Sequence, residues 1–219
     1  MRILFKYISY LIVFIGFSLA SAGSYEDFFK AIAMDDERTL KSLLQRGFDP
    51  NTLNPDHQHP LYLALREPSP KAVKLLLDQP KLQVDSRNLK DETPLMLAAL
   101  KSQLEVAARL IELKADVNKP GWAPLHYAAT SGNVSIIRLL LDNDAYLDAE
   151  SPNGTTPLMM AAMYGSPAAV KVLLEAGADP TVKNNLGMSA LDFANQVNRK
   201  DSASLISAFL LGWQEPAKQ

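Results

Sequence analysis

Asp56-His57-Gln58-His59 is the one stretch that places two imidazoles and a carboxylate together. On an extended segment alternate side chains point the same way, so His57 and His59 could face a common divalent cation. A hydrolytic metal site needs three protein ligands and an open position, and no further nitrogen ligand is close in sequence. The competing reading makes His59 the cap before a helix that starts at Pro60, and His57 a solvated turn residue. A metal-dependent hydrolase is therefore a rival reading, and no metal, cofactor or catalytic residue is assigned. With no cysteine there is no thiolate nucleophile, no Cys-ligated zinc or iron–sulfur cluster and no lipidated cysteine. No serine sits in a G-x-S-x-G elbow, and no glycine-rich phosphate loop is present. Asp35-Asp36-Glu37, the longest acidic run, reads as a turn leading into a helix N-terminus, which favours negative charge. Without a convergent acid, base and nucleophile, the chain reads as a non-enzyme.

Charge narrows the partners further. Twenty-two Lys and Arg stand against 24 Asp and Glu, so the basic footprint that phosphate backbones require is missing and nucleic acid is not an expected partner. At the N-terminus, Arg2 and Lys6 precede an uncharged run centred on Leu11-Ile12-Val13-Phe14-Ile15 that closes on Ala20-Ser21-Ala22. A basic start, an apolar core and a small-x-small site predict a signal peptide over 1–22, cleaved after Ala22. Cleavage removes two basic and no acidic residues, taking the formal charge from −2 to −4. Kept instead, residues 7–25 approach the length of a spanning helix and would anchor the chain to the inner membrane. Export without any cysteine suits a bacterial periplasmic protein whose core needs no disulfides.

The rest of the chain repeats itself. His59-Pro60-Leu61-Tyr62-Leu63-Ala64, Thr93-Pro94-Leu95-Met96-Leu97-Ala98, Ala123-Pro124-Leu125-His126-Tyr127-Ala128, Thr156-Pro157-Leu158-Met159-Met160-Ala161 and Ser189-Ala190-Leu191-Asp192-Phe193-Ala194 align without gaps, at spacings of 34, 30, 33 and 33. Apolar doublets starting at Leu43, Leu76, Leu110, Leu140 and Leu173, with Ile206 at the corresponding place in the last repeat, reproduce that rhythm, with the short interval falling between Lys114 and Ala123. Thr93 and Thr156 can cap a helix through their hydroxyls, and the following prolines occupy a position whose N–H the helix does not use. Paired alanines such as Ala98-Ala99, Ala128-Ala129 and Ala161-Ala162 keep that helix thin enough for a neighbour to stack on it, and the doublets supply the apolar stripe of a second helix. Gly132 and Gly165 suit the turn between the two helices, and Gly47 and Gly177 the residue that ends the second.

This period and its T-P-L-x-x-A core resemble the ankyrin repeat, as do Gly47-Phe48-Asp49-Pro50-Asn51, Lys114-Ala115-Asp116-Val117-Asn118 and Gly177-Ala178-Asp179-Pro180-Thr181. The resemblance implies an all-α, ankyrin-like helical solenoid of about six helix–turn–helix repeats with short hairpin-like fingers, preceded by the signal peptide. Repeats are expected at 24–54, 55–87, 88–119, 120–150, 151–183 and 184–211 within a domain over 23–211, followed by a C-terminal tail at 212–219. End repeats lacking T-P-L read as caps. The second repeat, with Pro68-Ser69-Pro70 at its turn and Pro80 after its second helix, is expected to be irregular. The family also implies that His126 hydrogen-bonds between neighbouring loops, and that partners dock on a concave face of fingers and first helices. On that face the sequence places Leu89, Glu92, Leu100, Trp122, Met163, Tyr164, Leu186 and Met188 as partner-binding residues, with Thr130 also at an outward position. Large apolar side chains at solvent-facing places are where protein hot spots are built. The expected function is a monomeric periplasmic module that binds another protein, assisting a periplasmic enzyme or stress response. The alternative is an immunity or inhibitor protein that occludes a toxin or hydrolase.

Overall fold

A computed structural model describes residues 23–214. The expected signal peptide, and with it most of the anchor alternative at 7–25, lies outside the described residues, as does 215–219 of the expected tail. All regular structure among the described residues is helical. The helices divide into two compact units between Gln83 and Val84.

The first unit holds α1 (23–33), α2 (Glu37–Gln45), α3 (Pro60–Arg66) and α4 (Pro70–Leu77). Its core is Phe28, Ile32, Leu40, Leu61, Leu65 and Leu76, all essentially inaccessible. Phe28 stacks on Phe48 at 4.4 Å and meets Phe29 edge-on at 5.4 Å. The acidic run has the structural role read for it. Asp36 caps α2 through Thr39 N–H at 3.1 Å, and Asp35 accepts Ala72 N–H at 2.9 Å, satisfying a donor in the first turn of α4. The irregularity expected of the second repeat lies at its turn and after its second helix, where no left-handed residue follows α4 as Gly47, Lys114, Asp144 and Gly177 follow α2, α6, α8 and α10. Both helices form, but Ser69 before Pro70 is buried and its hydroxyl makes no hydrogen bond.

The second unit holds four helix pairs: α5 (Pro94–Leu100) with α6 (Leu104–Glu112), α7 (Pro124–Ser131) with α8 (Val134–Leu141), α9 (Pro157–Met163) with α10 (Pro167–Glu175), and α11 (Ala190–Gln196) with α12 (Lys200–Gln214). First helices pack side by side in the order α5, α7, α9, α11, and α6, α8, α10 and α12 form the second layer. Alanines at 98, 99, 128, 129, 161, 162 and 194 are wholly buried along the first row, so those backbones approach closely. Thr93, Thr156 and Ser189 cap their helices by accepting Met96, Met159 and Asp192 N–H. α12 continues through Gln214, past the expected end of the last repeat at Leu211.

Between helix pairs the chain turns out into fingers. Asn88, Ser151 and Asn184 each close one by pairing their N–H with the carbonyl of residue 92, 155 or 188. Adjacent fingers are joined by a recurrent bond in which Asp85, Asn118 or Asp148 accepts the N–H of Asp116, Tyr146 or Asp179. The family-implied link through His126 is also present. Its Nδ1 accepts Ala123 N–H at 3.1 Å and its Nε2 donates to the Thr155 carbonyl at 2.9 Å. With both nitrogens engaged in a buried site, desolvation holds its pKa below the usual histidine value.

Candidate functional site: an apolar groove on the first-helix row

The histidine pair does not form a metal centre. His57 is exposed on a left-handed residue (φ 57°), whereas His59 is 2% exposed. His59 Nδ1 accepts Leu61 N–H at 3.2 Å as the cap of α3, and Nε2 lies 3.2 Å from Asn51 Oδ1. Neither nitrogen is available to a cation, and burial pushes the imidazole down to about 4. Among the described residues no three His, Asp or Glu side chains converge as metal ligands. The local ligand set on which the metal-hydrolase rival rested is therefore not assembled.

What the second unit does offer is a groove of about 270 Å³ lined by Leu100, Trp122, His126, Tyr127, Thr130 and Met160. Helical register explains it. In α5, α7, α9 and α11 the third residue after the leading Pro, or Ala190, shares a face with the sixth, giving the pairs Leu97/Leu100, Tyr127/Thr130, Met160/Met163 and Phe193/Gln196. Packing those helices side by side turns the pairs into a stripe, mostly apolar and only partly covered. Trp122 comes from the shortened finger and sets its ring edge-on to His126 at 5.2 Å and 73°. Tyr127 is steered by its hydroxyl, which donates to Glu92 Oε1 at 3.1 Å. Glu92 is itself held by Asn88 Nδ2 at 2.7 Å.

Of the eight residues assigned to the face from sequence, Leu100 and Trp122 line this groove and Glu92 supports it through Tyr127. Met163 lies half-buried one turn beyond Met160. Tyr164, 52% exposed, caps α9, and Arg199 donates to its carbonyl at 3.2 Å. Leu89 and Leu186 are exposed on finger tips away from the groove, and Met188 is half-buried at a finger base. Sequence reasoning missed Tyr127 and Met160. Each directly precedes the alanine pair, and the signal lay in the large side chains at that place in four successive repeats.

Comparison with known proteins fits this architecture. The family model for ankyrin repeats (3 copies) matches residues 28–120 and 116–184. The neurogenic locus notch homolog protein 1 of Xenopus tropicalis is 39% identical over 119 residues, 52% of this chain and 5% of that protein. The tyrosine-protein kinase Shark of Drosophila melanogaster is 33% identical over 160 residues, 71% of this chain and 17% of its own length. The chain thus spans a small part of these relatives. Among solved structures, a chain from the complex of the predatory endopeptidase Bd0816 of Bdellovibrio bacteriovorus with immunity protein Bd3460 superposes with a TM-score of 0.72 at 28% identity, covering 83% of this chain and 97% of that one. An ankyrin repeat domain from Acinetobacter baumannii gives 0.71 at 22% identity, covering 83% and 96%.

Proposed function

Because this chain belongs to the ankyrin repeat family, we propose that it is a non-enzymatic inhibitor of the immunity type, which docks on an exported hydrolase with the row α5–α7–α9–α11 and occludes its active site. The observation that carries the reading is the likeness, at 28% identity over 97% of that chain, to a chain from an endopeptidase–immunity protein complex. The groove around Trp122 is the contact surface of this proposal. It is apolar and rimmed by ordered polar groups, and Trp and Tyr are the residues that most often dominate binding energy. A stack of short helices presents these side chains already fixed, so docking loses little conformational entropy. Export to the periplasm belongs to the same proposal and rests on the Arg2, Lys6 and Ala20-Ser21-Ala22 pattern.

The test is to titrate the peptidases encoded beside this chain with the purified protein. Activity is expected to fall toward zero at one equivalent, and Trp122→Ala with Tyr127→Ala to weaken inhibition by about 100-fold or more, the cost of losing two hot-spot side chains. A stable complex that leaves peptidase activity intact would instead favour the assistant role and end the inhibitor reading.

A further inference from the structure

The finger that carries Trp122 is built on a different principle from its neighbours. Elsewhere the residue at the finger base is an acceptor: Asn88 Oδ1 takes Lys90 and Glu92 N–H, Ser151 Oγ takes Thr155 N–H, and Asn184 Oδ1 takes Leu186 and Met188 N–H. In the shortened finger that place belongs to Lys119, whose ammonium has three donors and no acceptor. All three are used. Nζ donates to the Pro120 carbonyl at 3.0 Å and the Trp122 carbonyl at 3.5 Å, and forms an ion pair with Asp91 Oδ2 from the preceding finger. The lysine is 2% exposed, whereas Asp91 is largely in solvent and is paired on its other oxygen with Arg87 at 3.1 Å. Burying an ammonium is costly unless its partners are complete, so this arrangement tolerates little movement of the carbonyls that satisfy it. Those carbonyls flank Gly121, which is left-handed (φ 79°) with the Pro152 ring carbons 3.6 Å from its Cβ direction, and Pro120 has no N–H to hold the turn.

We propose that Lys119 is a positioning residue for docking, a buried ammonium that fixes the backbone of Trp122 so that its indole stands over the groove, with Asp91 fastening this finger to the one before it. The proposal rests on the groove being the docking face. Replacing the ammonium by an apolar stem leaves two carbonyls without their donor and Asp91 with Arg87 as its remaining cation. The turn then reorients toward water and carries Trp122 with it.

Trp122 can report on itself. With Trp213→Phe as background it is the sole tryptophan, since the chain has two. In the free protein, Lys119→Met is expected to shift its emission to longer wavelength and raise acrylamide quenching about twofold, with the far-ultraviolet helical signal unchanged. Asp91→Asn, an exposed change that keeps the lysine, is expected to move both readouts part of the way and guards against Lys119→Met failing to fold. Arg87→Gln is expected to move neither. Peptidase inhibition, measured on the same variants, should weaken about tenfold for Lys119→Met, the scale expected when one anchor is loosened rather than removed. Unchanged emission and quenching in both Lys119→Met and Asp91→Asn overturns the positioning, whatever the peptidase assay gives. A spectral change with full inhibition retained overturns its link to docking. Failure of the parent to inhibit any peptidase counts against the proposed function and leaves the spectroscopic result standing.

Discussion

At the scale of single residues, the groups that looked most capable of chemistry are spent on structure, and this makes them sensitive to pH. His59 is neutral where it caps α3, with a folded value of about 4 against an ordinary 6.5. A histidine depressed on folding adds no penalty above the unfolded value. As pH falls from 6.5 toward 4 the unfolded chain takes up a proton that the folded chain refuses, and stability drops by about 3 kcal/mol in total. Threonine caps α5 and α9 at the equivalent place. His59→Thr should therefore flatten the dependence of urea midpoints between pH 7 and pH 5, and an unaltered slope would refute the assignment. Asp85 and Asp148 behave in the opposite sense. Although both side chains are exposed, partial desolvation raises both carboxyls, and each accepts an N–H from the next finger while facing that residue's own carboxylate, Asp116 or Asp179. A raised carboxyl detracts from stability at neutral pH and recovers it as pH falls through the folded value. Asn118 makes the same bond without charge and also donates Nδ2 to the Asp144 carbonyl at 2.7 Å. Asp85→Asn and Asp148→Asn are accordingly expected to raise the melting midpoint by roughly 1–3 °C each at pH 7 and by less at pH 4, read by calorimetry.

At the scale of elements, much was legible because helix starts and stops are local. Thr93-Pro94, Thr156-Pro157 and the alanine pairs fix where first helices begin and how closely they pack, without reference to the rest of the chain. The 30-residue interval was equally plain, but what fills it was not, because the ion pair from Lys119 to Asp91 joins residues far apart in sequence. Gly165 shows a second limit. Read as a turn glycine like Gly132, it lacks the positive φ of Gly132 (71°). Its constraint is that an added Cβ would lie 2.3 Å from the Ala129 carbonyl oxygen on α7. Gly177, by contrast, has φ 100° and open space where a side chain would go. Gly165→Ala must push α7 from α9 and is expected to cost about 3 kcal/mol, while Gly177→Ala pays only backbone strain, about 1–2 kcal/mol. Denaturant midpoints compare them directly, and a larger loss at Gly177 would contradict the close approach of the two helices.

At the scale of the molecule, the distribution of charge decides how binding should respond to salt. Without residues 1–22, as the proposed export requires, 20 basic residues stand against 24 acidic ones, and a net charge of −4 gives no strong field to steer a partner over distance. The groove holds one neighbouring carboxylate, Glu92, and that group is already bonded to Tyr127 and Asn88. The lining groups themselves are apolar, aromatic or hydroxyl-bearing, apart from His126, whose two nitrogens are already bonded. Screening acts on exposed charges beyond about 10 Å at 0.1 M salt and hardly touches apolar contact. Added salt is therefore expected to slow association with the inhibited peptidase only modestly and to leave dissociation unaltered, whereas Trp122→Ala should speed dissociation with little change in association. Stopped-flow mixing at low and high salt separates the two rates. If dissociation quickens steeply with salt in the parent protein, the complex is held by exposed charges such as Lys90, Asp91 and Lys101 on the fingers and helix ends, and the groove is not its centre.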